Sequence, residues 1–316
     1  MLKGSSPQQL QEILLRKPAI FALASLAACT AAPEAEEADE STEAWEAQSA
    51  NDETKSTHLW IVDRAIELLA ARSESQAKTI VATMNEPTCR TFWEQGLVDT
   101  DYLAPYNDGV YDTEPGNGTL TLLASGATWK SHFYDPDTQK NYRGETSPTA
   151  RTQASLYMSA AASDWRAKNR NYACYRLGVS LHYLTDVTQP MHAANFSSAS
   201  RPIKLHANVE GYSMETQNAH ILSDATKLQL SSSTPDAVLQ TTARASKAQW
   251  TPMLAAIRAA YVGGSWSCWF AAQGWLTDTP SCWRGNAGVV ATIDTSLKSA
   301  QKATAEYLYA ASPSFK

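Results

Sequence analysis

Six histidines punctuate the chain: His58, His132, His182, His192, His206 and His220. A lone histidine is most often a surface group or a satisfied core residue, so spacing must make the case for chemistry. Two pairs do so. His182 and Asp186 stand four residues apart, and so do His206 and Glu210. On a helix such positions share one face, with Cβ atoms about 5–6 Å apart. Each pair can therefore offer a nitrogen and a carboxylate to one cation, or let the carboxylate bridge two. A plain His–Asp hydrogen bond explains one pair equally well. The repeat of the geometry, with His192 held just after Pro190, favours a metal. Imidazole and carboxylate are ligands that zinc accepts in open catalytic sites. No cysteine pair has CxxC spacing, which argues against a zinc–thiolate site.

These side chains need elements to hold them, and the dominant period is helical. In "HLWIVDRAIELLA", Leu59, Val62, Ile66 and Leu69 form one apolar stripe with Asp63, Arg64 and Glu67 off it. Residues 150–168 are alanine-rich and helix-forming, and 171–188 continue as a helix that Pro190 must stop. Segments around 214–230, 235–260 and 287–311 also predict helices. The Gly/Asn/Asp/Pro-rich run 104–147, with turn signals such as "EPGNGT" and "YDPDTQK", predicts extended surface loops. The expected fold is all-α, a single multi-helix domain with long loops around 104–147.

The chain has 316 residues, 43% of them hydrophobic, and a net charge of −6. Residues 1–44 hold three Lys/Arg and seven Asp/Glu, leaving 45–316 nearly neutral with 23 basic and 25 acidic side chains. That body lacks the basic footprint of a nucleic-acid binder. At the N-terminus, Arg16 and Lys17 precede "AIFALASLAAC", an apolar run too short to span a bilayer. Residues 1–29 thus predict an export signal. "LAAC" resembles a bacterial lipobox ending at Cys29, and ordinary signal cleavage near this point is the alternative. Residues 30–44, "TAAPEAEEADESTEA", contain little that could pack and predict an unstructured linker or propeptide. Four other cysteines, Cys89, Cys174, Cys268 and Cys282, suit an oxidising compartment and allow three pairings, of which Cys268–Cys282 is favoured.

Taken together, "THLWIVDRAIELL" (57–69), "DYLAPY" (101–106), "SHFYDPD" (131–137) and "SLHYLTDVTQPMHAANF" (180–196) resemble the signatures of the bacterial zinc-dependent phospholipases C, in order and spacing from Trp45 to about Glu210. The resemblance implies a trinuclear zinc cleft in a domain spanning 45–316. By that likeness Asp101, His132, His182 and Asp186 would serve one zinc. Trp45, as a mature N-terminus, would serve a second with His58 and the bridging Asp186. His192, His206 and Glu210 would hold the third. Cleavage between Ala44 and Trp45 would free the required α-amine, so the precursor is expected to be a poorly active zymogen. Asp101 is also the expected general base. Tyr102 and Trp129 would attract a head-group cation through their ring faces, and Gln48 stands where choline-selective members have a glutamate, which loosens the choline preference.

The implied activity is hydrolysis of the glycerol-side P–O bond of a phospholipid at a membrane or micelle interface. Phosphatidylcholine is the first choice, with ethanolamine lipids and sphingomyelin next. The expected product is a secreted monomer with no transmembrane segment and no nucleic-acid partner. An S1/P1-like zinc nuclease and a non-catalytic zinc-binding lipoprotein are the rival readings. The nucleases place their first histidine about five residues after the tryptophan, whereas His58 lies thirteen after Trp45.

Overall fold

Ser56 opens the first helix: its hydroxyl accepts from the backbone N–H of Leu59 at 3.3 Å, satisfying one of the donors that a helix start leaves open. That helix, α1 (Thr57–Ala70), buries the predicted stripe and also Trp60, Ile61, Ala65 and Leu68, leaving Asp63, Arg64 and Glu67 outward. The computed structural model describes residues 56–102, 129–197, 200–231 and 233–316, with only the backbone described for Asp101, Tyr102 and Trp129. The predicted export signal, the acidic linker, Trp45 and Gln48 lie outside the described residues. All described residues belong to one compact unit, Glu34–Lys316.

The remaining helices are α2 (Ser75–Met84), α3 (Pro87–Tyr102), α4 (Ala150–Arg166), α5 (Arg170–Thr188), α6 (Pro190–Ala193), α7 (Leu205–Thr216), α8 (Pro235–Val262), α9 (Trp266–Gly274) and α10 (Ala287–Ala311). Among the described residues there is no β-strand, only two isolated bridges, Asp135–Lys140 and Ile203–Thr277. Helix starts are written in local chemistry. Thr149 and Thr152 cap α4 reciprocally, Thr234 caps α8 ahead of Pro235, and Asn286 caps α10.

Helix α5 lies at the centre, buried almost throughout from Ala173 to Thr188. It packs most extensively against α3 and α4. The α3 contact is unusually close because two glycines face opposite backbones. A Cβ on Gly178 would stand 2.0 Å from the Trp93 carbonyl oxygen, and one on Gly96 would stand 2.1 Å from that of Tyr175. The disulfide Cys89–Cys174 staples the same two helices, and Cys268–Cys282 closes the predicted second pair.

The sequence reading of 214–230 as a helix needs correction. Helix α7 ends at Thr216, and only short 3-10 turns follow at Gln217–Ala219 and Ala225–Lys227. Asp224 turns its carboxylate onto the backbone N–H of Thr226, diverting the local hydrogen bonds from a helix. Leu222 and Leu228 are buried nonetheless, anchoring an irregular segment. Helices α2, α3 and α9 were not foreseen. Within 104–147, the described part from 129 onward is a 3-10 turn, Trp129–His132, followed by turns.

Two apolar clusters make the core. Leu59, Leu184 and Val187 belong to one, whereas Trp60, Ile61, Met191, Leu205 and Val209 belong to the other. The chain passes between them at the start of α1 and at the α5–α6 junction, and there the predicted histidines stand.

Candidate metal centre

Seven buried titratable side chains converge at this seam: His58 from α1, His132 from the 3-10 turn, His182 and Asp186 from α5, His192 from α6, and His206 and Glu210 from α7. Each is at most 4% exposed, so every polar atom must meet a partner of suitable charge.

Asp186 faces three histidines at once. Its Oδ2 lies 3.0 Å from His132 Nδ1 and 3.4 Å from His182 Nε2, while Oδ1 lies 3.6 Å from His58 Nε2. The two nitrogens facing Oδ2 are themselves 3.2 Å apart. A second triangle is built from His192 Nε2, His206 Nε2 and Glu210 Oε1, with edges of 3.1, 3.2 and 2.9 Å. Ligands about 2.0–2.1 Å from a tetrahedral zinc stand about 3.3 Å from one another. Both triangles match that edge.

The outer partners decide where the protons go. His182 Nδ1 lies 2.8 Å from the Leu97 carbonyl, and His192 Nδ1 lies 3.0 Å from that of His132. A carbonyl only accepts, so each Nδ1 donates and each Nε2 presents its lone pair inward. Thr185 spends its hydroxyl proton on the Leu181 and His182 carbonyls, so its oxygen accepts from His58 Nδ1 and turns that ring the same way. Lone pairs and carboxylate oxygens thus face each other with too few hydrogens between them. Glu210 Oε2 is buried with no hydrogen-bond partner. This donor set fits divalent zinc, and such outer hydrogen bonds are those that orient histidine ligands.

His132 links the halves, its ring in the first group and its carbonyl holding His192 in the second. Gln189 does similar work at the α5–α6 junction. Its Oε1 accepts from the backbone N–H groups of Met191 and His192, and its Nε2 donates to Glu210 Oε1 at 3.0 Å. Phe133 stacks on the His192 ring with centroids 4.5 Å apart.

Charge follows the same geometry. Burial pushes the Asp186 carboxyl up, but His182 and His132 outweigh it and hold the group well below the usual carboxylate range. Burial also opposes Glu210, yet His206 and His192 bring it down to about 2. Burial lowers His192, but in the protonated form its hydrogen bond to Glu210 and the charges of Asp186 and Glu210 together outweigh this, leaving it raised.

Of the predicted residues, the structure brings together His58, His132, His182, Asp186, His192, His206 and Glu210. Asp101 and Tyr102 end α3, one turn past Leu97, and Trp129 begins the turn that bears His132; their side chains, like Trp45 and Gln48, lie outside the description. His220 is separate, bonded 3.1 Å to Asp294 of α10. Sequence reasoning missed Thr185 and Gln189. The glutamine immediately before a helix-starting proline was the available signal.

The fold and the centre define an all-α protein with a buried imidazole–carboxylate cluster of metal-ligand type. Residues 57–250 match the family model described as zinc dependent phospholipase C. The chain belongs to that family. Two phospholipases C of Bacillus cereus are 37% identical over 167 residues, covering 52% of this chain and 52% of theirs. A phospholipase C of Listeria monocytogenes serovar 1/2a is 30% identical over 167 residues. The chain thus spans about half the length of the curated relatives it matches. An alpha toxin from Clostridium absonum shares the fold, with a TM-score of 0.54, 20% identity, and coverage of 84% of this chain and 65% of that one.

Proposed function

We propose that the protein is an exported phospholipase C that hydrolyses the glycerol-side phosphodiester bond of phospholipids, phosphatidylcholine first among them. The observation supporting this reading is Asp186 placed against three histidine nitrogens beside a second His–His–Glu triangle, two adjoining ligand sets whose cations would together neutralise one phosphodiester anion. His132, His182, Asp186 and Asp101 would hold one zinc, His58, Asp186 and the amine of Trp45 a second, and His192, His206 and Glu210 a third. Zinc bound there would neutralise the phosphodiester and make water acidic enough to attack near neutral pH.

The chain's own groups supply orientation. The Leu97 and His132 carbonyls and the Thr185 hydroxyl aim the imidazoles, and Gln189 holds Glu210. Asp101 would take the proton of the attacking water. In-line attack at phosphorus would form the bond to the water oxygen and break the bond to the glyceryl oxygen, which takes up the proton that water released, giving diacylglycerol and a phosphorylated head group. Tyr102, Trp129 and Gln48 would line the head-group pocket, where the rings attract a cation. The protein would act as a secreted monomer, with 1–29 as export signal, 30–44 as propeptide and 45–316 as catalytic domain.

The test is turnover of a chromogenic phosphocholine ester by the secreted protein, expected to vanish with chelator and return with zinc. Cleavage of single-stranded DNA without cleavage of this ester would sink the reading in favour of a nuclease. The N-terminal residue of the same preparation checks the maturation step, with tryptophan expected.

A further inference from the structure

Helix α9 shows an apolar face to solvent. Trp266 is 73% exposed and Phe270 63%, and with Trp269 they form a trio whose ring centroids are each 5.3 Å apart. Val262 shortly before α9 and Leu276 shortly after it are also more than half exposed. Scattered exposed hydrophobics are ordinary, whereas a contiguous patch marks an interaction surface.

The patch is held from below. Cys268 is buried and disulfide-bonded to Cys282, and Tyr261 and Trp283 both hydrogen-bond to the buried Asp278. Trp275 takes a φ of 28°, a conformation bulky residues rarely adopt. After that turn the chain lies alongside residue 203: Ile203 N–H donates to the Leu276 carbonyl at 2.9 Å, and Asp278 N–H donates to that of Ile203 at 2.8 Å. Ile203, 38% exposed, precedes His206 by three residues. The apolar face therefore reaches the edge of the helix that supplies His206 and Glu210.

Charge selects the occupant. Residues 262–277 contain no charged side chain. The rim does: Arg201, Lys204 and Arg258 are exposed, and Arg258 lies over the Trp275 ring at 5.2 Å from its centroid. Indole rings and long cationic side chains around an uncharged apolar centre complement a surface whose acyl core lies beneath a layer of phosphates.

We infer that the Trp266–Trp269–Phe270 face, with Val262 and Leu276, docks the protein on a phospholipid surface. The inference deepens the proposal above and rests on it for the choice of a lipid occupant. The face meets the acyl region, the rim cations meet phosphates, and the Leu276–Ile203 backbone pairing ties that docked face to α7.

Flotation on ice of the zinc-loaded secreted protein with phosphatidylcholine vesicles tests this. The wild type is expected to float, and Phe270→Asp/Leu276→Asp to lose at least about tenfold in bound fraction, with turnover of the soluble phosphocholine ester unchanged. Phe270→Ser/Leu276→Ser, which adds no charge, is expected to lose flotation as well, and it decides the question should circular dichroism show the Asp variant unfolded. Equal flotation of variant and wild type would overturn the inference, as would absence of wild-type flotation. A wild-type dimer in sedimentation velocity that the Ser variant abolishes would overturn it too, assigning the face to a second copy. Flotation without ester turnover by any of the proteins leaves the docking face standing and overturns the phospholipase reading.

Discussion

Gln189 does two things with one amide, and neither involves touching the proposed ion. Its oxygen caps the four-residue helix that carries His192, and its N–H₂ group steadies Glu210 Oε1. Removing it separates two costs. Loss of the cap is expected to lower stability by about 1 kcal/mol. Loss of the donor removes one of the contacts that orient Glu210 Oε1, and hydrogen-bond partners of a metal ligand are worth about 10–100-fold in metal affinity. Gln189→Ala should therefore weaken zinc binding by that factor in a competition titration while the protein stays folded. Wild-type zinc affinity in the variant would show that the amide is only a cap.

At the scale of elements, the decisive contact is between α3 and α5. Gly96 and Gly178 let the two backbones approach, and that approach brings the Leu97 carbonyl onto His182 Nδ1. Gly178→Ala places a Cβ 2.0 Å from a backbone oxygen that no side-chain rotation can relieve. The helices must part, at a cost of about 1–3 kcal/mol or more, and His182 lies one turn farther along the displaced helix. A lower urea midpoint together with weaker zinc retention is the expected result. A variant with unchanged midpoint would mean that the helices have room the structure does not show.

The whole molecule feels protons through the same centre. Glu210 sits at about 2 in the fold against 4.5 for a free carboxyl, so its contribution to stability is complete above 4.5 and is lost as pH falls towards 2. His192 is shifted the opposite way, raised above 6.5, so its contribution is complete below 6.5 and is lost as pH rises through the raised value. Chelator-treated protein is thus expected to be most stable between about pH 4.5 and 6.5. Zinc held as proposed would require His192 neutral, so zinc-loaded protein should instead gain stability as pH rises past that window. Urea unfolding against pH, with and without chelator, measures both curves, and Glu210→Gln should make the acid limb shallower. An acid limb unchanged by that substitution would remove Glu210 from the account.

The sequence alone determined whatever depends on local spacing and type. The stripe of α1, the alanine-rich α4, the proline stop after α5, and the two four-residue His–carboxylate pairs could all be read because a helix repeats every 3.6 residues wherever it lies. The all-α class and the favoured Cys268–Cys282 pairing belong here too. Local spacing did not determine the irregular path after Thr216, where apolar anchors mimic a helical pattern while polar side chains take over the backbone hydrogen bonds. Nor did it determine α3, whose glycine and mixed polarity hide a packing face. Only the tertiary structure decided which histidine meets which carboxylate oxygen, and that a carbonyl 85 residues away in sequence would fix the tautomer of His182. Such contacts arise from helices meeting at a shared seam, and no period along one segment records the identity of the segment packed against it.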